Sequence, residues 1–521
     1  MKKYVLLSVL LLFTYSIAYA TWGIQTIDSD GDTGSNTSIV TDLNGYPHIS
    51  YQYGTTCDLK YAKWNGSSWQ IETVDSIGDV GYYTSIDLDS NGYPHISYFD
   101  DTNDDLKYAK YNGTSWDIET VDSAGSMGRY SSLVLDTAGY PHIVYRDDTN
   151  NDLKYAQWNG VSWSTQAIDS IGNVGHYCSI VMDSNNSLYV SYLGADALQD
   201  LKYAKWDGLS WSTQTIDSIG DVGYYTSIAL DSNGYSHISY FDETNGTIKY
   251  AKWDGLSWST QTIDSIGYSY GSSIDIDSNN YPHIAYFEDN NENLRYAKWN
   301  GSSWDIITID SAGSVGMNCS LYIDVNGDVH ISYKDHIASG SDDNLKYAKW
   351  TNSPSLSWVG EPDYASDGLE PETTTLSPSF LPIFTYKVKY TDSDNDAPMT
   401  GYPKVHILKS SVAISGSPFT MTGTDSNSYS SGRTYTYPIM LVSPGTDYTY
   451  YFEAYDVWNA SATGTPTSLV NAPDISTPTV YSISGYVKDS NGTGISGVEV
   501  TLYGSGTSVY TTSSGSVKHF V

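Results

Sequence analysis

The sequence predicts an all-β protein whose larger part, residues 21–358, is a seven-bladed β-propeller closed by an N-terminal strand. A repeat of about 47 residues runs through this region, and that period falls in the range of four-stranded propeller blades. Each repeat contains four short stretches with strand-like alternation, separated by turn sequences, and shows no helical period. The tryptophans that open the last stretch mark the period: Trp22, Trp69, Trp116, Trp163, Trp211, Trp258 and Trp304.

The unit at 225–265 shows the four strands, which are called A to D. Strand A is SIALDS, in which Ile228 and Leu230 alternate with polar neighbours. Asn233-Gly234 is a strong signal for a tight hairpin, and it leads into strand B, YSHISYF. Strand C, TIKYAKW, follows an acidic loop, and strand D, WSTQTID, follows a second turn. Short antiparallel strands at even spacing favour a propeller.

The repeat count predicts how the ring closes. The A-B-C trio occurs seven times, and the seventh trio is followed by a sequence that departs from the strand D pattern. At the other end, TWGIQTIDSDG matches strand D and has no trio before it. We therefore expect Thr21–Ser29 to complete the last blade, which would leave no open sheet edge.

A histidine recurs in strand B, in NGYPHISY and its near copies. A metal site needs several ligands close to one ion, and an enzyme needs one site, whereas the repeat places one histidine in each blade. We expect a buried imidazole bonded to a backbone carbonyl or to a hydroxyl of a neighbouring strand, with metal binding or catalysis as alternatives. The residues concerned are His48, His95, His142, His237, His283 and His330.

The longer loops, B–C and D–A, share one rim of the predicted propeller and carry aromatic residues among carboxylates. Such a surface suits a polyhydroxylated or cationic ligand. The alternative is that some of the tyrosines cap the blade cores. The candidate ligand-binding residues are Tyr82, Tyr83, Asp100, Arg129, Tyr130, Asp147, His176, Tyr177, Tyr224, Tyr225, Asp242 and Tyr268.

The C–D hairpin, with the pattern W-N/D-G-x-S-W, is a second candidate surface, as in Trp64/Trp69 and Trp253/Trp258. Stretches such as LKYAKWDGLSWSTQTID resemble the repeats of bacterial and fungal sugar-binding propeller lectins. That resemblance implies sugar binding between adjacent blades. The alternative is that the paired tryptophans pack the outer edge of each blade.

The first 20 residues have a basic start, an apolar stretch and a small-residue cleavage site, which are the features of a secretory signal peptide. We therefore expect an exported protein, extracellular or associated with the cell surface, without membrane insertion. The formal net charge of −35 opposes binding to nucleic acid and anionic lipid. Structural calcium is the one cofactor that this acidity suggests, and no catalytic metal is expected. The odd count of three cysteines predicts no disulfide framework.

The composition changes after Trp358. Residues 359–475 contain alternating stretches such as FTYKVKYTDSDNDAP, and they resemble the Ig-like or fibronectin type III-like modules of bacterial surface proteins. Asp392, Asp394 and Asp396 there could bind calcium or form a polar loop. Residues 476–521, with ISGYVKDSNGTGISGVEVTLYGSG, resemble carboxypeptidase regulatory-like modules, which have a prealbumin-like, carbohydrate-binding-like β-sandwich. The family pattern continues with further strands after the position of Gly515, so we expect this domain to be truncated relative to it.

These observations predict a secreted, non-catalytic binding or adhesion protein that recognises extracellular or cell-surface carbohydrate through the propeller. No serine-hydrolase or zinc-protease motif is present, and the propeller arginines that a sialidase would use, Arg129, Arg146 and Arg295, lie in three separate repeats. The alternatives are an extracellular glycan-processing enzyme of the sialidase type and a surface module that binds other proteins. Several equivalent sites would favour a lectin, and a single asymmetric pocket with a perturbed carboxylate would favour an enzyme.

Overall fold

The computed structural model describes residues 21–520 without 196–198, 337–342, 352, 365–366, 376–381, 395, 459, 477–481, 502–507 and 511–515. The described residues divide into two compact units. The first comprises residues 21–353 together with Val457–Ala460, and the second comprises Pro354–Asp456 and the residues from Ser461 onwards. The predicted signal peptide lies outside the described residues.

Seven antiparallel sheets of four strands each make up the described part of the first unit. They are numbered along the chain, and each is given in the order A, B, C, D. Sheets 1 to 3 are Ser35–Thr41, Pro47–Tyr53, Asp58–Trp64, Trp69–Asp75; Tyr82–Leu88, Pro94–Asp100, Asp105–Tyr111, Trp116–Asp122; and Met127–Leu135, Pro141–Asp147, Asp152–Trp158, Trp163–Asp169. Sheets 4 and 5 are Val174–Met182, Leu188–Ala195, Gln199–Trp206, Trp211–Asp217; and Val222–Leu230, Ser236–Asp242, Thr247–Trp253, Trp258–Ser265. Sheets 6 and 7 are Ser272–Ile276, Pro282–Glu288, Asn293–Trp299, Trp304–Asp310; and Ser314–Ile323, Val329–His336, Asn344–Thr351, Thr21–Asp28.

Sheet 7 takes its fourth strand from the N-terminal end of the described chain. Thr21–Asp28 pairs antiparallel with Asn344–Thr351, and Trp22 lies opposite Trp350. The same tryptophan-to-tryptophan register occurs between strands C and D of sheet 1. The N-terminal strand therefore pairs with the seventh A-B-C trio, which is the pairing that the repeat count predicts.

Burial changes in a regular way across each sheet. Strand B is the most buried strand of sheets 1 to 6, and in Pro94–Asp100 it is buried along its whole length, because other strands cover both of its faces. Strand D is mostly exposed, as in Trp163–Asp169, and its sequence is correspondingly polar. The apolar HISYF type of sequence thus forms the interior of the unit, and the polar STQT type forms its outside.

One hydrogen bond recurs at every junction between neighbouring sheets. The backbone N–H of a strand A residue donates to a serine Oγ on strand A of the preceding sheet, as from Ile86 to Ser38 at 3.2 Å. The bond also joins sheet 1 to sheet 7, where Ile39 N–H donates to Ser320 Oγ at 3.3 Å. Repeated four-stranded sheets joined in this way are consistent with a propeller. The remaining donor–acceptor pairs are Leu133–Ser85, Ile180–Ser132, Ile228–Ser179, Ile274–Ser227 and Leu321–Ser273.

The second unit contains two five-stranded sheets that share one hydrophobic cluster, to which Phe384 and Tyr450 contribute from opposite sheets. The first sheet consists of Ser355–Ser357, Leu369–Glu370, Ile383–Thr391, Thr422–Gly423 and Arg433–Met440. The second consists of Lys404–Lys409, Val412–Ala413, Phe419–Thr420, Tyr448–Glu453 and Val470–Asn471. Smaller elements are the parallel pair Thr373–Thr375 and Asp474–Ser476, the 3₁₀ helix Thr465–Thr467, and the antiparallel pairs Ser482–Tyr486 with Ser516–Phe520 and Glu499–Thr501 with Ser508–Tyr510. Across the described residues, no helix has the length and apolarity that crossing a membrane requires.

Candidate functional site

Three pockets of the same construction lie between neighbouring sheets of the described first unit, and they are called the junction pockets. The first lies between sheets 1 and 2, the second between sheets 4 and 5, and the third between sheets 5 and 6. Their volumes are about 480, 590 and 430 Å³. One sheet contributes a tyrosine and a lysine of strand C and two residues of strand D. The next sheet contributes the tyrosine of its A–B hairpin and the aromatic residue that ends its strand C. Among the lining residues, those at these six shared positions are, in this order, Tyr61, Lys63, Gln70, Glu72, Tyr93, Tyr111; Tyr203, Lys205, Ser212, Gln214, Tyr235, Trp253; and Tyr250, Lys252, Ser259, Gln261, Tyr281, Trp299.

The strand C tyrosine of each pocket is a rigid wall. Tyr61 lies T-shaped against Trp116 of the next sheet, with 5.4 Å between the ring centroids. A ring packed in this way has few alternative rotamers, so the pocket wall is preorganised. The same contact recurs at all seven junctions of the described sheets, in the pairs Tyr61–Trp116, Tyr108–Trp163, Tyr155–Trp211, Tyr203–Trp258, Tyr250–Trp304, Tyr296–Trp22 and Tyr347–Trp69.

The six repeated histidines hold six of these seven tyrosines, and the hydroxyl of the seventh, Tyr203, lies 3.4 Å from Ser236 Oγ. Each imidazole Nδ1 accepts the O–H of a strand C tyrosine of its own sheet at 2.5–2.6 Å. Burial lowers the pKa of His48 to about 3. It lowers the pKa of three other histidines, His95, His237 and His283, to about 4. Burial lowers the pKa of His142 and His330 as well. The imidazoles are therefore neutral at pH 7, which leaves Nδ1 able to accept.

The other imidazole nitrogen faces the aspartate that organises the A–B hairpin. His95 Nε2 lies 3.8 Å from Asp89 Oδ2. The second oxygen of Asp89 accepts the backbone N–H groups of Asn91 and Tyr93 at 2.9 and 3.0 Å. This carboxylate shapes the turn that carries the pocket tyrosine Tyr93. The motif DSNGYPHISY therefore builds the walls of the junction pockets.

The junction pockets offer hydrogen-bond donors beside aromatic surfaces. Lys63 and Lys252 each line a pocket, and neither forms an ion pair within the described residues. In the pocket between sheets 5 and 6, the indole N–H of Trp304 is buried and has no hydrogen-bond partner among the described residues. Glu72, in the pocket between sheets 1 and 2, accepts from Trp116 Nε1 at 3.2 Å. The combination suits a ligand with an apolar face and acceptor groups at its edge.

Four of the residues predicted on the loop-rich rim come together at a second site. Tyr83, Tyr130, Tyr177 and Tyr225 pack in succession as a tilted stack, with interplanar angles of 48°, 53° and 46° and centroid distances of 4.6, 4.7 and 4.5 Å. They line a central pocket of about 180 Å³, to which all seven sheets contribute. Their φ angles lie between 49° and 57°, in the left-handed region that is rare for a bulky residue. Such backbone strain concentrates at functional sites.

The predicted carboxylates of that rim organise their own loops. Asp100, Asp147 and Asp242 are 1–2 % exposed. Asp100 Oδ1 accepts the backbone N–H of Asn103 at 3.0 Å, and Oδ2 accepts the side-chain amide of the same residue at 2.9 Å. Asp147 and Asp242 make the equivalent bonds. These three side chains shape the B–C loops and do not line the central pocket.

The remaining predicted residues surround the tyrosine stack without lining the central pocket. Arg129 forms ion pairs with Asp148 at 2.9 Å and Asp101 at 3.4 Å. His176 Nε2 lies 3.2 Å from Asn173 Oδ1, and burial lowers the pKa of His176 to about 4. The other three contact neighbouring side chains, in the pairs Tyr82–Cys57, Tyr224–Tyr177 and Tyr268–Phe241.

The lysines and hairpin tyrosines of the junction pockets were absent from the residues that the sequence suggested. A partial signal exists, because Tyr61 and Lys63 are two residues apart and so share one face of strand C. The C–D hairpin was the second candidate surface, and its Trp253 and Trp299 do line pockets. Which hairpin of the next sheet faces them depends on the packing of sheets, which no local pattern reveals.

Carboxylates that could hold a cation cluster in the second unit. Ligand atoms of Asp392, Asp394 and Asp396 lie within 4.8 Å of one another. Burial, followed by the neighbouring Asp396, raises the pKa of Asp392 to about 8. Oxygen ligands of this kind suit calcium, so structural calcium stays a prediction. A second cluster, Asp324, Asp328 and His330, already holds the ammonium group of Lys349 at 3.1 Å from Asp328.

No protein-family model and no curated protein sequence matches the chain. Solved structures are similar to it at low identity. AofleA from Arthrobotrys oligospora is 16% identical over 56% of this chain and 90% of its own, with a TM-score of 0.41. A mutant of Aleuria aurantia lectin in complex with Fucα1-6GlcNAc is 13% identical over 53% and 96%, with a TM-score of 0.38. An ulvan lyase of a new polysaccharide lyase family is 15% identical over 62% and 95%, with a TM-score of 0.46. TM-scores below 0.5 assign neither a fold family nor a function to this chain.

Proposed function

We propose that residues 21–353 form a closed seven-bladed β-propeller and that its junction pockets bind carbohydrate. Two sets of contacts support closure, because the strand A hydrogen bond and the tyrosine–tryptophan contact both recur between sheets 7 and 1. Pairing of Thr21–Asp28 with Asn344–Thr351 completes the last blade. A ring of this kind leaves only short strand edges that neighbouring blades protect, and it tolerates variation at its surface.

The observation that carries the binding proposal is the recurrence of one pocket at three junctions. Repeated weak sites gain strength together when the ligand is multivalent, as a polysaccharide or a glycan-covered surface is. A catalytic centre gains nothing from such repetition. On this proposal the protein is a lectin-like module that binds repeating or densely displayed sugars.

The pocket chemistry matches a sugar ring. Tyr61, Tyr93 and Tyr111 offer aromatic surface to the C–H face of the ring, where an apolar patch needs covering. Lys63 and the amide of Gln70 donate to ring and hydroxyl oxygens at its edge. The walls are held in place before the ligand arrives, so little conformational entropy is lost on binding.

A glycan-processing enzyme is the weaker proposal. The described lining of the central pocket consists of tyrosine, serine, threonine, cysteine, glycine and asparagine, with no carboxylate. Hydrolysis of a glycosidic bond ordinarily uses two carboxyl groups, about 5–10 Å apart, on either side of the bond. The nearby Asp100, Asp147 and Asp242 are buried in their loops.

Export completes the proposal. The signal-peptide features of the first 20 residues support an extracellular or surface location. The shared hydrophobic cluster of the second unit supports an Ig-like sandwich that acts as a spacer. A carboxypeptidase regulatory-like module at residues 476–521 remains part of this proposal.

The decisive experiment uses the full chain on a glycan array, followed by titration calorimetry with the best ligand. We expect several equivalent binding events per chain. Replacing the three hairpin tyrosines together, Tyr93→Ala, Tyr235→Ala and Tyr281→Ala, should abolish them with folding intact. The matched control removes two tyrosines of the central pocket, Tyr83→Ala and Tyr225→Ala, and should leave binding unchanged. One event per chain that only the control abolishes would contradict the junction-pocket assignment.

A further inference from the structure

One junction is filled by the chain itself. Between sheets 7 and 1, the side chain of Trp458 is 2% exposed, and it belongs to the first unit with the other residues of Val457–Ala460. Its ring centroid lies 5.1 Å from that of Trp64 and 5.2 Å from that of Tyr347. Lys349 Nζ lies 5.4 Å from the ring centroid, within the range of a cation–π contact.

These neighbours are the counterparts of the junction-pocket residues. Tyr347 and Lys349 are the strand C tyrosine and lysine of sheet 7, and Trp64 is the aromatic residue that ends strand C of sheet 1. The indole of Trp458 thus lies where the three open pockets have free volume. Burial agrees with this placement, because Trp64 is 6% exposed whereas Trp253 and its counterparts in the open pockets are partly exposed.

Gly23, which has no side chain, leaves room for the backbone of Trp458. A Cβ atom on Gly23, in the N-terminal strand, would lie 2.3 Å from the carbonyl oxygen of Trp458 and 2.4 Å from its Cβ. Glycine within a strand is unfavourable unless another backbone approaches closely. The other six strands D carry a side chain at this position: Gln70, Asp117, Ser164, Ser212, Ser259 and Asp305.

A second residue of the N-terminal strand binds the backbone of the same segment. The amide N–H of Gln25 donates to the carbonyl oxygen of Val457 at 2.7 Å. The amide oxygen of Gln25 accepts from Trp69 Nε1 at 2.9 Å, which fixes the orientation of the amide. Gly23 and Gln25 therefore both contact the peptide backbone that carries the indole.

We propose that the junction of sheets 7 and 1 is a binding site for a tryptophan side chain on a peptide backbone, and that Trp458 is its resident ligand. The ring enters between Trp64 and Tyr347, and Gly23 makes room for the backbone. The open pockets, with a side chain in place of Gly23, exclude a backbone at that depth and stay available to other ligands. The site does not depend on glycan binding by those pockets.

The experiment measures thermal melting of the full chain with Trp458→Ala, with and without added indole. The variant should melt several degrees below the wild type, and millimolar indole, which fits the space that the side chain leaves, should raise its melting temperature more than that of the wild type. Equal shifts in wild type and variant would overturn the site.

A double-mutant cycle keeps the proposal testable where Trp458→Ala lowers the yield of folded protein. It combines Gly23→Ala with Trp458→Phe, which keeps a smaller ring. Gly23→Ala alone should lower the melting temperature, because its methyl group meets the backbone of Trp458. In the Trp458→Phe background, where the smaller ring lets the segment move outward, the same change should cost clearly less. An identical cost in both backgrounds would show that the glycine does not serve the occupant.

Discussion

At the scale of single residues, the repeated histidine shows what a sequence pattern can and cannot tell. The pattern indicated a buried imidazole bonded to a carbonyl or a hydroxyl. The structure gives the partner as a tyrosine of strand C, as in His95 with Tyr108. That partner could not be named beforehand, because it depends on the register between strands B and C. The histidine thereby fixes the strand C tyrosine, which lies against a tryptophan of the neighbouring sheet.

Replacing one of these histidines should affect stability and leave metal content unchanged. His95→Ala leaves the Tyr108 hydroxyl buried without its acceptor, at a cost of about 1–3 kcal/mol in the free energy of unfolding. Urea unfolding followed by tyrosine and tryptophan fluorescence measures the change, and elemental analysis measures bound metal. Loss of a stoichiometric metal ion with unchanged stability would contradict the structural role.

The cysteines behave as small buried side chains. Cys178 and Cys319 occupy the strand A position that holds serine or threonine in the other sheets, and their facing residues are Val144 and Ala285 where other sheets have serine. Burial raises the pKa of Cys319 to about 12 and that of Cys178 further. Both thiols are therefore poor nucleophiles.

A thiol count tests this assignment. In native protein, a thiol-reactive dye such as DTNB should not label Cys178 or Cys319, which leaves at most the partly exposed Cys57. In urea, all three thiols should react, because the structure has all three cysteines free. Rapid labelling of three thiols in the native state would show that the strand A positions are accessible.

At the scale of elements, an aspartate at the end of strand D ties each sheet to the next. Asp75 accepts Tyr98 O–H at 2.7 Å and Lys107 Nζ at 2.7 Å, both from the following sheet. Burial acts to raise the pKa of Asp75, but the hydrogen bonds from Lys107, Tyr98 and the Ile77 N–H outweigh it, so the pKa is lowered. The tyrosine–aspartate bond occurs at all seven junctions of the described sheets: Tyr51–Asp28, Tyr98–Asp75, Tyr145–Asp122, Tyr192–Asp169, Tyr240–Asp217, Tyr286–Asp264 and Tyr333–Asp310.

The buried histidines and the junction aspartates should make stability fall over two separate pH ranges as the protein is acidified. The histidines titrate near pH 6.5 when unfolded and near pH 4 when buried, so the unfolded chain binds more protons between these values and stability falls as the pH drops through them. Junction aspartates with lowered pKa add a loss that begins near their unfolded value of about 4 and continues below it. Three carboxyls oppose the first loss, because burial raises the pKa of Asp87 and Asp275 to about 6 and that of Asp392 to about 8, but the histidines outnumber them.

Two single variants separate the two pH ranges. His95→Gln should reduce the pH dependence of the unfolding free energy between pH 6.5 and 4 and leave the lower range alone. Asp75→Asn should reduce it only below about pH 4. Urea unfolding at half-unit steps of pH measures both slopes. A flat profile between pH 6.5 and 4 in the wild type would contradict the buried neutral histidines.

At the scale of the whole molecule, much of the first unit could be predicted from the sequence. Period 2 within strands and the 47-residue repeat gave the strands, their order and the pairing of the N-terminal strand, because these follow from local patterns and counting. The lectin resemblance implied sites between adjacent blades, but the residues that line the junction pockets could not be predicted. They meet across two sheets from positions about 30 residues apart, as Lys63 and Tyr93 do. The tyrosine stack was predicted as a surface, but its left-handed backbone was not.

The last prediction concerns the number of binding sites, because the same junction pocket recurs between three pairs of sheets. On the proposed function, each open pocket would hold one sugar residue weakly, and a polymer that spans several pockets would bind with an effective concentration set by the spacing between them. Tyr235→Ala, which removes one hairpin tyrosine, should reduce polymer binding about 10-fold or more, since avidity multiplies single-site strength by about 10²–10⁴. The same change should leave the affinity of the remaining pockets for a single sugar unchanged. Surface plasmon resonance with immobilised polymer, compared with calorimetry on the monosaccharide, measures both quantities. An equal loss in the two assays would mean that the pockets act one at a time, and a repeated site would then need another explanation.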